Sequence, residues 1–140
     1  MATFFQVNYV AVFVAAVAGL IVGMLWYLPM TFGAHWASLV RRYTGLSDED
    51  LRPDPPRHLS MWFVGAILNA AVLAALARGV GADTAPQGAM LGIAAWIGFG
   101  ATFSSWPVIF ARQPWDLWAV NNGAFLLMQA VMGAVVAAWH

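Results

Sequence analysis

The chain has 140 residues, of which 62% are hydrophobic and only 9% are charged, and its mean hydropathy is +0.74. A soluble domain averages about 45–50% apolar and about 25% charged residues, so this composition excludes an ordinary soluble domain and indicates an integral membrane protein. The net charge is zero, which leaves no polycationic face for nucleic acid. The absence of Cys excludes disulfides and thiolate metal sites.

Four apolar segments follow one another, at about 7–28, 59–77, 86–110 and 117–139. Each can cross a membrane, because about 20 helical residues rising ~1.5 Å each match a ~30 Å hydrocarbon core. The N-terminus lacks a basic region and a clear cleavage site, which favours a retained helix over a cleaved signal peptide. The predicted fold class is therefore all-α. We expect an integral membrane four-helix bundle that forms one transmembrane domain over residues 1–140.

The long connection at about 30–58 contains an amphipathic stretch. Its apolar residues recur at helical spacing, with Arg41 and Arg42 to one side: Trp36, Leu39, Val40 and Tyr43. This pattern is typical of a helix that lies in the membrane interface, and Gly45 can end it. The proline-rich run at 52–57 then predicts an extended approach to the second span.

The basic residues predict the orientation of the spans. All six are Arg, and five of them fall in the first and third connections: Arg41, Arg42, Arg52, Arg57 and Arg112. The N-terminus, the second connection and the C-terminus together hold only Arg78. By the positive-inside rule the face with five Arg is cytoplasmic, which places both termini outside.

Small residues at four-residue spacing predict where helices approach each other. The first span has one such line: Ala11, Ala15, Gly19 and Gly23. The third span has two, Gly88 with Gly92, and then Ala94, Gly98 and Thr102. Lipid tails supply no hydrophobic force for helix association, so close backbone approach along such lines is how membrane helices pack.

The spans contain no evident Asp, Glu, Lys or Arg, which argues against a proton-coupled pump or a charged ion channel. His35, His58 and His140 show no metal-ligand spacing, so we expect no metal site and no cofactor. No nucleophile, acid and base lie within plausible reach of one another, so we expect no catalytic residues and no enzyme activity.

Neutral polar side chains remain within the spans: Asn69, Thr102, Ser104, Ser105, Asn121, Asn122 and Gln129. One interpretation is that they hydrogen-bond between helices and fix the packing. The other is a shared polar layer that forms a pocket for a small neutral or amphipathic molecule. Aromatic residues would then form its walls: Trp96, Trp106 and Phe125.

The end of the first span carries the pattern WYxPxxFGxxW, which we interpret as a corner at the membrane interface. Its residues are Trp26, Tyr27, Pro29, Phe32, Gly33 and Trp36. With other residues along the chain, this pattern resembles the small bacterial membrane family of domain of unknown function 1761. Those others are Asn8, Tyr9, Pro114, Trp115, Asn121, Gly123, Met132, Gly133 and Trp139. The resemblance implies a location in the bacterial inner membrane and implies no activity.

The chain departs from that pattern at two places. Members of the family often carry Lys where this chain has Ala34, and Tyr-His where it has Ala124 and Phe125. Taken together, the residues favour a helper or structural subunit that associates with other membrane helices or with itself. The alternative is a small transporter or ligand-binding membrane protein. The expected partners are the lipid bilayer and either another copy or a larger membrane complex, and not nucleic acid.

Overall fold

The computed structural model describes residues 6–52 and 55–139. Over these residues every regular element is a helix and no strand occurs, which confirms the all-α prediction. The α-helices are α1 Tyr9–Trp26, α2 Ala34–Thr44, α3 Pro55–Val80, α4 Ala85–Ala95, α5 Thr102–Ser104, α6 Trp106–Phe110 and α7 Trp115–Ala138. Two π-helical turns, Pro29–Gly33 and Trp96–Ala101, precede α2 and α5. The sequence interpretations that concern Pro53 and His140 lie outside the described residues.

Four helical stretches in the described part of the chain are long and apolar enough to cross a membrane. They are Tyr9–Trp26, Pro56–Val80, Ala85–Phe110 and Trp115–Ala138, and we refer to them as the first to fourth spans. The third span consists of α4, the second π-helical turn, α5 and α6.

Polar and proline residues set where the first two spans begin. The Asn8 side-chain oxygen accepts hydrogen bonds from the amides of Val10 and Ala11 at 3.0 and 3.2 Å, so Asn8 is the N-cap of α1. Helix α3 already begins at Pro55, and the extended approach expected there is replaced by helix. Proline is tolerated in a first helical turn, where its missing N–H has no carbonyl partner to lose.

Helix α7 lies at the centre of the bundle and contacts α1, α3 and α4. The main hydrophobic core is built by α1, α3 and α7, and it includes Leu20, Leu73, Met132 and Val136. Helix α4 supplies none of the residues of that core cluster and packs mainly against α7. The bundle is therefore a three-helix core with the third span added on one side.

Glycines bring α4 and α7 together backbone to backbone. A Cβ atom on Gly88 would lie 2.0 Å from the carbonyl oxygen of Gly133, and one on Gly92 would lie 2.0 Å from that of Gln129. Only a residue without a side chain fits at either position. The contact uses the first turns of the third span, and little of that span is buried beyond them.

The third span is not the single regular helix that its hydropathy predicts. The backbone widens into the π-helical turn at Trp96, and the Thr102 hydroxyl donates to the Ile97 carbonyl oxygen at 3.0 Å. Helix α5 ends at Ser104, and Pro107 then enters the first turn of α6. Because proline has no N–H, it cannot continue the hydrogen-bond ladder of the preceding turn.

The first connection is ordered by local capping. Gly45 adopts a left-handed conformation (φ 71°) and its amide donates to the Arg41 carbonyl oxygen at 2.8 Å, which ends α2. The Ser47 hydroxyl and amide both donate to the Asp50 carboxylate, and these bonds hold the pKa of Asp50 below its usual value. The Arg41 guanidinium pairs with Asp48.

Candidate functional site

The corner that follows α1 is the most elaborate local structure in the described residues. Residues 27–33 connect α1 to α2, and within them Thr31 has non-helical backbone angles (φ −104°, ψ −108°). The Thr31 hydroxyl lies 2.7 Å from the Leu25 carbonyl oxygen and 2.6 Å from that of Trp26. The Thr31 hydroxyl therefore caps the end of α1, where the last carbonyl groups have no backbone donor.

Gly33 closes the corner because no side chain fits there. Its amide donates to the Leu28 carbonyl oxygen at 2.9 Å. A Cβ atom on Gly33 would lie 2.1 Å from the Tyr27 carbonyl oxygen, and this obstacle is backbone that cannot swing away. The glycine is required for space, since its φ of −63° is open to any residue.

Trp26 connects the corner to the first turns of α7 by a hydrogen bond and by ring contacts. Its indole N–H donates to the Val120 carbonyl oxygen at 3.0 Å. One face of the ring stacks on Phe32, with centroids 4.3 Å apart and planes inclined by 22°. The ring edge also covers Gly123, where a Cβ atom would lie 2.7 Å from the indole Cζ2 atom. A larger residue at 123 would push the indole off the helix.

Tyr27 makes a second attachment beside the first. Its hydroxyl donates to the Asn121 side-chain oxygen at 2.8 Å, and its ring packs edge to face against Trp36 at 5.7 Å. Within the sequence pattern, Trp26 contacts Gly123 and Tyr27 bonds to Asn121, which lies 94 positions farther along the chain. Residues 32, 33 and 36 pack against these two aromatic residues. We call this assembly the corner clamp.

The apolar face of helix α2 packs against the start of α7, beside the corner clamp. Leu39 is 3% exposed and forms a second hydrophobic cluster with Leu117 and Val120. The Tyr43 hydroxyl donates to the Ala111 carbonyl oxygen at 3.1 Å, which ties the end of α2 to the third connection. The apolar face of α2 is therefore largely covered by the protein, while Arg41 and Arg42 are exposed.

The neutral polar residues fall into separate groups. Asn122 is 2% exposed, accepts a hydrogen bond from Ser104 at 2.9 Å, and donates to the Trp118 carbonyl oxygen at 3.1 Å. Asn121 belongs to the corner clamp. Thr102 and Ser105 donate to carbonyl oxygens of their own span at 3.0 and 2.7 Å.

Asn69 and Gln129 form another group, about two helical turns beyond Asn122 along α7. The Gln129 amide nitrogen donates to the Asn69 side-chain oxygen at 3.1 Å, and the Asn69 amide nitrogen approaches the Met132 sulfur at 3.7 Å. Gln129 Oε1 and Trp96 Nε1 are buried atoms without a hydrogen-bond partner among the described residues. Trp106 and Phe125, the other expected pocket walls, are 54% and 42% exposed.

The predicted packing line of the first span faces the interior. Ala11, Ala15, Gly19 and Gly23 are all buried. A Cβ atom on Gly19 would lie 2.6 Å from the Met132 sulfur, and one on Gly23 would lie 2.4 Å from the Trp62 ring. This line is therefore covered by α3 and α7 of the same chain.

The described residues contain no cluster of three or more His, Asp or Glu that could hold a metal ion. Sequence reasoning missed Thr31, which stands at an unspecified position of the corner pattern. It also missed the Val120 carbonyl oxygen as the acceptor for Trp26, because a backbone acceptor leaves no mark in a sequence. The local signal that could have found Thr31 is a hydroxyl residue a few positions after the end of a helix, in a turn at residues 28–33 that contains no other hydroxyl or amide side chain.

The sequence profile of a family described as "protein of unknown function (DUF1761)" matches residues 10–137. This chain belongs to that family. The resemblance stated from the corner pattern is thereby confirmed. No curated protein and no solved structure matches the chain.

Three residues of this chain stand where the resemblance implies others. Ala34 is exposed at the start of α2. Ala124 is fully buried, and Phe125 points outward on α7.

Proposed function

We propose that this DUF1761 member is a four-span protein of the bacterial inner membrane, with both termini outside and with α2 on the cytoplasmic side. We further propose that it is a helper or structural subunit, and that its third span binds other membrane helices, either of a partner or of another copy. The corner clamp attaches the end of α1 to α7, while the outer face of the third span stays exposed.

The placement in the membrane is supported by which residues share an end of the bundle. The bond from Tyr43 to Ala111 brings the first and third connections together, so five Arg lie at one end. At the other end the Arg78 guanidinium donates to the Gln6 carbonyl oxygen. The charge asymmetry matches the positive-inside rule with the five-Arg end in the cytoplasm.

The observation that carries the association is the exposure of the third span. In its most apolar stretch 6% of the residues are buried within the chain, against 28% in the second span and 39% in the first and fourth. The exposed side includes Ala94, Gly98 and Thr102 at four-residue spacing, and nothing lies within 4 Å of a Cβ atom built on Gly98. Such a line allows another helix to approach closely.

Photo-crosslinking in native membranes tests this function. A photoreactive side chain at Ile97, which is 57% exposed beside Gly98, should give adducts of higher mass. Gly98→Leu in the same chain should abolish them by blocking close approach. A matched probe at Val72, 55% exposed on α3, should give none. Adducts that survive Gly98→Leu, or that form equally at Val72, would contradict the proposal.

A ligand-binding or transport function is the second candidate. It is favoured by Gln129 Oε1 and Trp96 Nε1, two buried polar atoms without partners in the described part of the chain. Under this function Gln129→Leu should abolish binding or uptake of a neutral molecule and leave the Ile97 adducts intact. Under the association function Gln129→Leu should change neither the Ile97 adducts nor the role of the protein in the cell.

A further inference from the structure

A concave groove runs between the first two spans on the outer surface of the bundle. The groove is open to the outside and has a volume of about 400 Å³. Its walls are four residues of α1 between Val17 and Met24 and four of α3 between Pro56 and Phe63. It extends for about 10 Å along α1, as seven residues rising ~1.5 Å each give. The volume lies within the range of small-molecule sites, about 300–1,000 Å³.

The lining of this groove is apolar along its length. Ser60 is its single hydroxyl side chain, and that hydroxyl already donates to the Arg57 carbonyl oxygen at 2.9 Å. Phe63 bounds the groove toward the middle of the bundle, where its ring packs edge to face against Phe13 with centroids 6.0 Å apart. The walls can therefore contact a hydrocarbon chain, and they offer few polar groups to a ligand.

The other end of the groove lies between Met24 and Pro56, near the five-Arg end of the molecule. Arg57 is not part of the lining, but it lies in the same helical turn of α3 as Pro56 and is exposed. A long Arg side chain can lay its stem along apolar surface while its charged head reaches the polar boundary. A guanidinium forms charge-assisted, often bidentate hydrogen bonds with phosphate. A site with an apolar groove and an exposed cation in the helical turn where that groove ends is complementary to a molecule with a hydrocarbon chain and a phosphate head.

We propose that the groove between α1 and α3 binds one phospholipid, with an acyl chain along the groove and its phosphate on Arg57. This inference rests on the proposed placement of the spans in a bilayer with the five-Arg end at the headgroup level. It is independent of association through the third span, which lies on other elements. Because the lipid fills a concave site, it is bound at a fixed position instead of exchanging as bulk lipid does.

Lipid titration of the full chain in gentle detergent, followed by native mass spectrometry, tests the site. The probes are a phosphatidylglycerol and a diacylglycerol with the same acyl chains. The phosphatidylglycerol should bind about tenfold more tightly than the diacylglycerol, because a hydrogen bond to a charged group changes a dissociation constant by about that factor. Arg57→Gln should remove this difference and leave diacylglycerol binding unchanged. Inorganic phosphate should not displace either lipid.

Two variants fill the groove from opposite walls. Ser60→Trp and Ile21→Trp should each weaken binding of both lipids about tenfold or more, whereas Val64→Trp should weaken neither. Val64 is the matched control because it is 57% exposed on α3 and lies outside the lining. The thermal midpoint of each variant shows that it is folded, and either groove variant alone is sufficient if the other does not fold.

The proposal is overturned if both groove variants bind lipid as Val64→Trp does, or if phosphatidylglycerol and diacylglycerol bind equally to the unmodified chain. An effect of Arg57→Gln on both lipids alike would also overturn it. Because the titration is done in detergent, its failure would leave the orientation and the crosslinking results of the third span untouched.

Discussion

At the scale of single residues, the corner clamp consists of contacts that tolerate no added atoms. Gly33 lies against the Tyr27 carbonyl oxygen, and Gly123 lies beneath the Trp26 ring. The polar groups of the same region are paired, Trp26 with Val120 and Tyr27 with Asn121. Close packing and paired hydrogen bonds fix one geometry, because both a displaced ring and an unpaired donor cost free energy.

Gly33→Ala tests this residue-scale account. The added methyl group would lie 2.1 Å from the Tyr27 carbonyl oxygen, so the backbone must shift. We expect a loss of about 1–3 kcal/mol in the free energy of unfolding, measured in detergent by denaturant titration.

Gly65→Ala is the matched control, because nothing lies within 4 Å of a Cβ atom at that helical position. It should be neutral or stabilise the protein by about 0.5–1 kcal/mol, since alanine favours helix over glycine. Equal effects of the two substitutions would show that Gly33 is not required for space.

At the scale of helices, the sequence predicts the elements better than their partners. The hydropathy of the chain indicates four spans, and four suitable helices are found, because long apolar runs are a strong signal. The small-residue spacing indicates a face of α1 but not which helices cover it. Periodicity gives the direction of a side chain relative to its own helix and carries no information on what lies opposite.

The same limit explains the polar residues and the breaks in helices. Asn121 and Asn122 are adjacent in sequence, yet one bonds to Tyr27 and the other to Ser104. A one-residue step turns a helix by about 100°, so neighbours face different helices. The π-helical turn at Trp96 changes the hydrogen-bond register by one residue, and the amino-acid composition of the segment does not indicate it.

The contact between α4 and α7 gives the prediction at this scale. Gly92→Ala would place a methyl group 2.0 Å from the Gln129 carbonyl oxygen and should separate the two backbones. We expect about 1–3 kcal/mol of destabilisation in the same unfolding measurement. Gly98→Ala, on the exposed side of the same span, should leave the stability of the isolated chain within about 0.5 kcal/mol. A tolerant Gly92 would mean that the glycine contact does not determine helix packing.

At the scale of the whole molecule, the orientation can be read by site-specific labelling, because the chain contains no Cys. Leu46→Cys lies in the first connection and Asp83→Cys in the second, and both positions are exposed. An impermeant maleimide added to intact cells stripped of their outer membrane should label Asp83→Cys only. Leu46→Cys should react after lysis. The reverse pattern would contradict the assignment of the five-Arg end to the cytoplasm.

The proposed role depends on one property of the whole molecule, the association of its third span with helices outside the chain. Native mass spectrometry of the protein released from membranes in gentle detergent measures this property most directly. We expect a complex heavier than the 15.1 kDa chain, either a multiple of that mass or an assembly with another protein, and Gly98→Leu should reduce it to the single chain. A single 15.1 kDa species in the unmodified protein, at every detergent concentration that keeps it folded, would contradict it.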